Sequence, residues 1–132
     1  MPGIDECVRE AMGVPGARSA AVIDWTSGLA LGADGDPPGA DHETGCAEIA
    51  ELARLAAENT VFAPPPATTT PPHQVPVEDL VVTTGDGYHL VRFVDTGFDS
   101  SVFLYLWLDR GAGNLALARI RLRELAGRLV LA

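Results

Sequence analysis

The sequence lacks lysine, has only two cysteines and contains no apolar run long enough to cross a bilayer. A membrane-spanning helix needs about 20 consecutive apolar residues, and the first residues lack the basic and apolar regions of a signal peptide. We therefore expect a cytoplasmic protein without membrane insertion. Two cysteines, Cys7 and Cys46, are too few for a disulfide framework or a zinc site. We expect both to be reduced thiols packed as small apolar side chains.

Positive charge is also scarce. The 9 basic residues are all arginines and face 18 acidic residues, which gives a formal net charge of −9. Nucleic acids and anionic membranes attract cationic proteins, so this balance argues against nucleic acid as a partner. The arginines are concentrated toward the C-terminus. Solvated helix faces explain that asymmetry most simply, and a binding patch is the alternative.

Motifs that carry chemistry are missing as well. None of the three histidines, at 42, 73 and 89, lies in a catalytic or metal-binding pattern. His89 and the Asp-Ser-Ser segment at 99–101 supply the residue types of a hydrolase triad, but no nucleophile elbow accompanies them. The acidic group formed by Asp34, Asp36, Asp41 and His42 lacks the spacing of a calcium loop. The sequence therefore predicts a protein that is not an enzyme, with no cofactor and no metal.

A strong β pattern occupies the region from Val77 to Leu108. The segments 80–84, 88–94 and 102–108 are rich in β-branched and aromatic residues, and glycines and aspartates separate them. Both alternating sets of side chains in 102–108 are apolar, as in a strand covered on both faces. The pattern predicts three consecutive antiparallel strands, with 102–108 at the centre of the sheet.

Helical patterns flank and interrupt these strands. Apolar residues recur at spacings of three and four in 4–12, in the long stretch 41–62 and in 114–129. Asp41 and Asn114 are suitable N-caps for the second and third of these helices. The closing helix has a leucine-rich stripe, whereas the stripe of the long helix consists mostly of alanines.

The remaining segments complete one predicted domain over residues 1–132. Segments 19–25 and 29–32 predict a hairpin, 33–40 predicts a loop, and the Pro/Thr-rich stretch 63–76 predicts a flexible loop. The resulting order is αββαβββα. It predicts an α+β fold with a five-stranded antiparallel sheet, one long helix on one face and two helices on the other.

Segment 80–84 falls at an edge of this sheet and lacks the lysines, internal prolines and inward charges that usually discourage edge pairing. Pairing with the same edge of a second copy would satisfy its open backbone groups, and a two-fold axis would bring the long helices together. We therefore predict a homodimer with one continuous sheet. The predicted interface consists of Leu80, Val81, Val82, Thr83 and Thr84 from the strand and Ile49, Ala50, Ala53 and Ala57 from the long helix.

Three short motifs follow one another in this order of elements. They are Ala21-Val22-Ile23-Asp24, Gly28-Leu29-Ala30 and Gly113-Asn114-Leu115-Ala116-Leu117-Ala118-Arg119. Over nearly the whole chain, their order and spacing resemble the roadblock family of dynein light-chain and bacterial GTPase-regulator domains. The resemblance implies the profilin-like fold predicted above.

The resemblance also implies a function: a non-enzymatic homodimer that binds a small Ras-like GTPase, often encoded nearby, and acts as a regulator in bacterial signalling. It implies that the paired long helices are the docking surface. The outward residues there are Glu48, Glu51, Arg54, Leu55 and Glu58. Two alternatives stay open, a ligand-sensing domain of the PAS, GAF or profilin-like type and a purely structural adaptor. The alanines of the long helix favour tight packing over a sensor's pocket.

Overall fold

Five strands and three helices make up the fold, as seen in a computed structural model that describes residues 3–63, 75–95 and 101–129. The elements are α1 (Ile4–Met12), β1 (Ala17–Asp24), β2 (Leu29–Gly35), α2 (His42–Glu58), β3 (Asp79–Thr83), β4 (Gly87–Phe93), β5 (Val102–Asp109) and α3 (Leu115–Arg128), with a 3₁₀ turn at Thr60–Phe62. The strands form one antiparallel sheet in the order β2-β1-β5-β4-β3. The predicted fold class, element order and central strand are confirmed.

Helices cover the sheet on two faces, which we call the α1/α3 face and the α2 face. Since neighbouring strand residues point in opposite directions, β5 contributes side chains to the cores of both faces. Leu104 and Leu106 lie in the core under α1 and α3, and Phe103 and Tyr105 lie in the core under α2. All four side chains are buried, which explains why both alternating sets of this strand are apolar.

β2 is longer than predicted. The sequence predicts a strand at 29–32 and a loop at 33–40, whereas the ladder with β1 continues to Gly35. Its register shifts so that Leu31 is the extra residue of a bulge. Gly32 lies where an added Cβ would come within 2.7 Å of Ile4 Cγ2, so α1 packs closely over this strand. The prediction was wrong because an exposed edge strand tolerates the polar, glycine-containing sequence that is also typical of loops.

α2 ends at Glu58 and not near Phe62. Asp41 caps its start as predicted, since its carboxylate accepts a hydrogen bond from the Thr44 N–H at 2.7 Å. At the other end, the Asn59 side chain accepts a hydrogen bond from the Val61 N–H at 3.0 Å and begins the 3₁₀ turn. A local side-chain bond of this kind competes with continuation of a helix. The predicted flexible loop at 63–76 lies almost entirely outside the described residues.

Candidate protein interaction site

β3 is the strand at one end of the sheet, as predicted, although it covers 79–83 and not 80–84. Among the described residues its strand partner is β4, and its other side has no strand beside it. Its one charged residue, Asp79, is turned toward α3, where a carboxylate oxygen lies 2.9 Å from Arg119 Nε. The predicted unprotected edge is therefore present in the described part of the chain.

Side chains of β3 alternate between the two faces. Val81 packs against the core of the α1/α3 face, and Leu80 packs against the core of the α2 face. Val82 points to the same side as Leu80, and all three are half-buried in the single chain. Thr83 is exposed. The edge thus offers partly covered apolar surface together with its backbone groups.

Thr84 lies just beyond the strand and belongs to the turn into β4. Its hydroxyl donates a hydrogen bond to the Asp86 carboxylate at 2.8 Å and accepts one from the Gly87 N–H at 3.1 Å. The main-chain N–H of Thr84 donates to the Gly87 carbonyl. Because its side chain is engaged in this way, Thr84 fixes the end of the edge strand.

A groove of about 300 Å³ opens on the α2 face between α2 and the strands β3 and β4. It exists because α2 packs chiefly over β1 and β2, and none of the described helices lies over the β3 side of this face. Apolar side chains make up most of its walls. The lining residues are Glu48, Ile49, Leu52, Val82, Thr84, His89, Val91 and Tyr105.

His89 is held in the wall of the groove by two aromatic residues of β5. Its ring centroid lies 5.5 Å from that of Trp107 and 6.0 Å from that of Tyr105, and its Nδ1 lies 2.8 Å from the Tyr105 hydroxyl. Burial lowers the pKa of His89, the charge of Asp86 raises it, and the charge of Arg18 lowers it. The net lowering favours a neutral imidazole that packs as part of the wall.

Two leucines of α2 are exposed on the single chain. Leu52 is 42% exposed and lines the groove, and Leu55 is 56% exposed. Exposed leucines beside an open groove are typical of a surface that another protein covers.

The predicted contact residues around Leu55 lie at the surface as expected. Glu48, Glu51 and Glu58 are exposed, and Arg54 is half-buried. The Arg54 guanidinium forms ion pairs with both Glu51 and Glu58 along the helix. This part of α2 therefore has a net negative charge, because one arginine accompanies three glutamates.

The alanine stripe of α2 faces its own sheet. Ala50 is 2% exposed and Ala53 is 0% exposed, so neither side chain has free surface to offer a second copy. This differs from their predicted place in a helix-to-helix contact, because their small size is used for close packing within the chain. Ile49 and Ala57 are half-buried at the margin of the same core. Of the predicted helix residues, these two keep surface for an outside contact.

Residues considered for chemistry do not converge. In the described ranges, no group of three or more His, Cys, Asp or Glu side chains is placed to hold a metal ion. Asp36 Oδ2 lies 3.8 Å from Arg18 Nε, and Asp41 caps the start of α2. The triad candidates Asp99 and Ser100 lie outside the described residues.

The two cysteines have the burial that the sequence predicts. Cys7 and Cys46 are both free and buried. Burial raises the pKa of Cys7 to about 11 and also raises the pKa of Cys46, which favours the protonated thiol at both positions. None of the described helices combines the length and the apolar character required to span a bilayer.

Comparison with known proteins finds likeness in structure and not in sequence. No family model and no curated protein matches the sequence. A structure described as MglB with a tetrameric arrangement superposes with a TM-score of 0.69 at 18% identity, covering 92% of this chain and 81% of its own.

Two structures from Myxococcus xanthus are also similar. For MglB the TM-score is 0.65 at 13% identity, covering 93% of this chain and 85% of that one. For MglC the TM-score is 0.55 at 21% identity, covering 91% and 90%. MglB and MglC are roadblock-domain proteins. At these identities the likeness concerns the fold, and it extends over nearly the whole chain.

Proposed function

We propose that this chain, which has the roadblock fold, is a homodimeric regulator or scaffold that binds a small Ras-like GTPase. The fold agrees with the resemblance found in the sequence motifs, and the function follows from that resemblance. The observation that carries the proposal is the edge of β3, which has no strand beside it in the described ranges, together with the apolar groove and exposed Leu52. We call these features together the β3 seam.

A second copy fits the β3 seam better than an unrelated protein. A two-fold axis perpendicular to the sheet pairs β3 with itself in antiparallel orientation and keeps both α2 helices on the same face. Since each α2 packs chiefly over β1 and β2 of its own chain, the two open grooves then adjoin across the axis, between the two α2 helices. The contact thus pairs the two strand edges and brings the two grooves together, each with half-buried Val82 and exposed Leu52. Light scattering at micromolar concentration tests this step, and a monodisperse monomer would remove it.

The paired helices would form an acidic platform around an apolar centre. Leu55 supplies apolar surface. Glu51 and Glu58 both pair with Arg54, so these three side chains together carry a net negative charge. Such a surface fits a partner patch that carries lysine or arginine around apolar side chains. Because rim charges act mainly on the association rate, we expect binding of the GTPase to slow as salt is added.

A ligand-sensing role is the second candidate, and the groove is the observation that favours it. Its volume of about 300 Å³ is at the lower end of the range for small-molecule sites, which begins at about 300 Å³. Glu48 and His89 would provide the polar contacts. The two roles are distinguishable by whether the protein binds a small GTPase.

The test uses the small GTPase encoded nearest to the gene. GTP hydrolysis and binding are measured with and without this protein, in both nucleotide states. A regulator changes the hydrolysis rate, an adaptor binds without changing it, and a sensor does neither. Absence of binding in both nucleotide states would overturn the proposal.

A matched pair of variants locates the docking surface. Leu55→Asp places a charge at the apolar centre of the platform, and Ile120→Asp does the same on α3, where the isoleucine is 49% exposed. We expect the first to abolish GTPase binding and the second to leave it unchanged. The opposite result would move the docking surface to α3.

A further inference from the structure

The geometry of β3 points to one register for the seam. We infer that β3 pairs with its copy about a two-fold axis at Val81, and that Arg110 of each subunit then lies against the partner's Asp79. The inference rests on the proposed homodimer and deepens it, since it names the contacts by which the chain recognises a second copy.

The free backbone groups of β3 are identified by its bonds to β4. At one end of the strand the Glu78 carbonyl accepts a hydrogen bond from the Phe93 N–H at 3.1 Å, and at the other end the Thr84 N–H donates to the Gly87 carbonyl at 2.8 Å. In an antiparallel ladder, residues alternate between pointing both backbone groups toward a neighbour and pointing both away. The even-numbered residues therefore bond to β4, and the odd-numbered residues of 79–83 point their groups outward.

Symmetry then selects the register. In an antiparallel pair, outward-pointing residues must face each other. With the axis at Val81, this residue faces its own copy and Asp79 faces the partner's Thr83, so all three outward residues are bonded. An axis at Leu80 or Val82 leaves one of the three opposite a residue beyond the strand. The axis at Val81 thus makes the largest number of hydrogen bonds within the strand limits.

Asp79 points to the α1/α3 face, the side on which Val81 packs. Its Oδ2 already accepts a hydrogen bond from Arg119 Nε at 2.9 Å. A carboxylate has two oxygens and accepts several hydrogen bonds, so Asp79 retains capacity for a second guanidinium. The bond to Arg119 holds it on this face at the start of the strand.

Arg110 is fixed at the other end of the strand on the same face. Its Nη1 donates a hydrogen bond to the Thr84 carbonyl at 3.0 Å, and its guanidinium carbon lies 6.0 Å from the ring centroid of Tyr88. Tyr88 is the β4 residue opposite Thr83. In the inferred register Thr83 faces the partner's Asp79, with Cβ atoms about 5 Å apart. The guanidinium therefore lies within reach of that carboxylate.

The charges also explain why the seam would accept this register and not a neighbouring one. With the axis at Val81, both Arg110 to Asp79 contacts form while all three outward residues are bonded. A slip of the axis to Leu80 moves each carboxylate along the strand and away from the partner's guanidinium, and a slip to Val82 leaves an outward residue opposite a residue beyond the strand. The apolar residues of β3 alone would permit more than one register. The opposite charges at the two ends of the strand pair favour the register at Val81.

Cysteine cross-linking tests the register. In directly facing hydrogen-bonded residues the Cα atoms lie about 5.5 Å apart, a separation that a disulfide spans. Val81→Cys should form a covalent dimer under mild oxidation. Leu80→Cys and Val82→Cys are the matched controls, because their copies lie diagonally about 7–8 Å apart. Native Cys7 and Cys46 are buried and should contribute no background.

The outcomes separate this inference from the proposal beneath it. Faster cross-linking at position 80 or 82 in a protein that is dimeric by mass overturns the register and leaves the homodimer standing. No cross-link at any of the three positions in a dimeric protein overturns the seam itself as the contact. A monomeric native protein overturns the homodimer.

Charge reversal tests the contact of Arg110 with the partner's Asp79. Arg110→Glu should raise the dimer dissociation constant by about tenfold or more, whereas Arg123→Glu, the same change at an exposed position on α3, should leave it unchanged. In an Asp79→Asn background the effect of Arg110→Glu should fall to less than about threefold. An equal loss in both backgrounds would contradict the contact.

Discussion

Val82→Arg tests the β3 seam in a chain that still folds. Val82 is half-buried and forms the wall of the groove with Ile49 and Leu52. In the single chain the groove is open, so the long stem of an arginine can carry its charge to water. In the dimer the two copies of position 82 lie diagonally across the axis, about 7–8 Å apart, so two guanidinium groups of like charge are partly buried beside each other.

The expected effect is large because the interface contains the substitution twice. Burial of an unpaired ion carries a penalty of several kcal/mol. With about 1.5 kcal/mol for each copy, because burial is partial and Glu48 lines the same groove, two copies destabilise the dimer by about 3 kcal/mol, which raises the dissociation constant about 10²-fold. Sedimentation velocity over a dilution series measures this change, and circular dichroism checks that the monomer stays folded.

Leu31→Arg is the matched control on the opposite edge of the sheet. Leu31 is 45% exposed in the bulge of β2, and we expect its substitution to leave the dimer unchanged. A Val82→Arg protein that remains dimeric at the concentrations where the native protein does would refute the reasoning. Equal dissociation by both variants would show that the seam has been placed on the wrong edge.

Three further predictions concern the folded chain. Because burial lowers the pKa of His89 below 6.5, the unfolded chain binds that proton first, so the free energy of unfolding should fall as pH drops through about 6.5. His89→Gln should remove this part of the pH dependence in urea titrations, and an unchanged slope would contradict it. Asn114→Ala removes the bond that caps α3 at the Leu117 N–H and should lower stability by about 1 kcal/mol. Asn114→Asp should retain most of this stability, because aspartate also caps helices. Equal losses of stability in the two variants, measured by urea titration, would argue against the cap. Gly45→Ala should lower the melting temperature sharply because its Cβ would overlap the Pro38 carbonyl, and an unchanged melting temperature would refute that packing.

The strands and their order could be predicted because each carries a local signal. β5 is apolar on both alternating faces, and Gly85 and Gly87 mark the hairpin before it. A strand two places from the centre must then be an edge, which identified β3. The same reasoning failed for residues 33–35, since the glycines and aspartates of an exposed edge strand resemble those of a loop.

The groove could not be predicted, because it depends on where α2 lies across the sheet. The helical pattern shows which residues share a side of α2, but it does not show that the helix sits over β1 and β2 and leaves Leu52 uncovered. For the same reason the pattern did not reveal that Ala50 and Ala53 face the chain's own sheet. Position of a helix across a sheet is set by tertiary packing, which periodicity alone does not encode.

Hydrogen exchange of the backbone amides in β3 tests the central claim most directly. The amides of Val81 and Thr83 point away from β4, where no other described strand lies beside them, whereas the amides of Leu80 and Val82 bond within the sheet. We predict that Val81 and Thr83 are protected in the native protein and lose that protection on dilution or in Val82→Arg. Fast exchange of both amides at high protein concentration, while Leu80 and Val82 stay protected, would contradict the account.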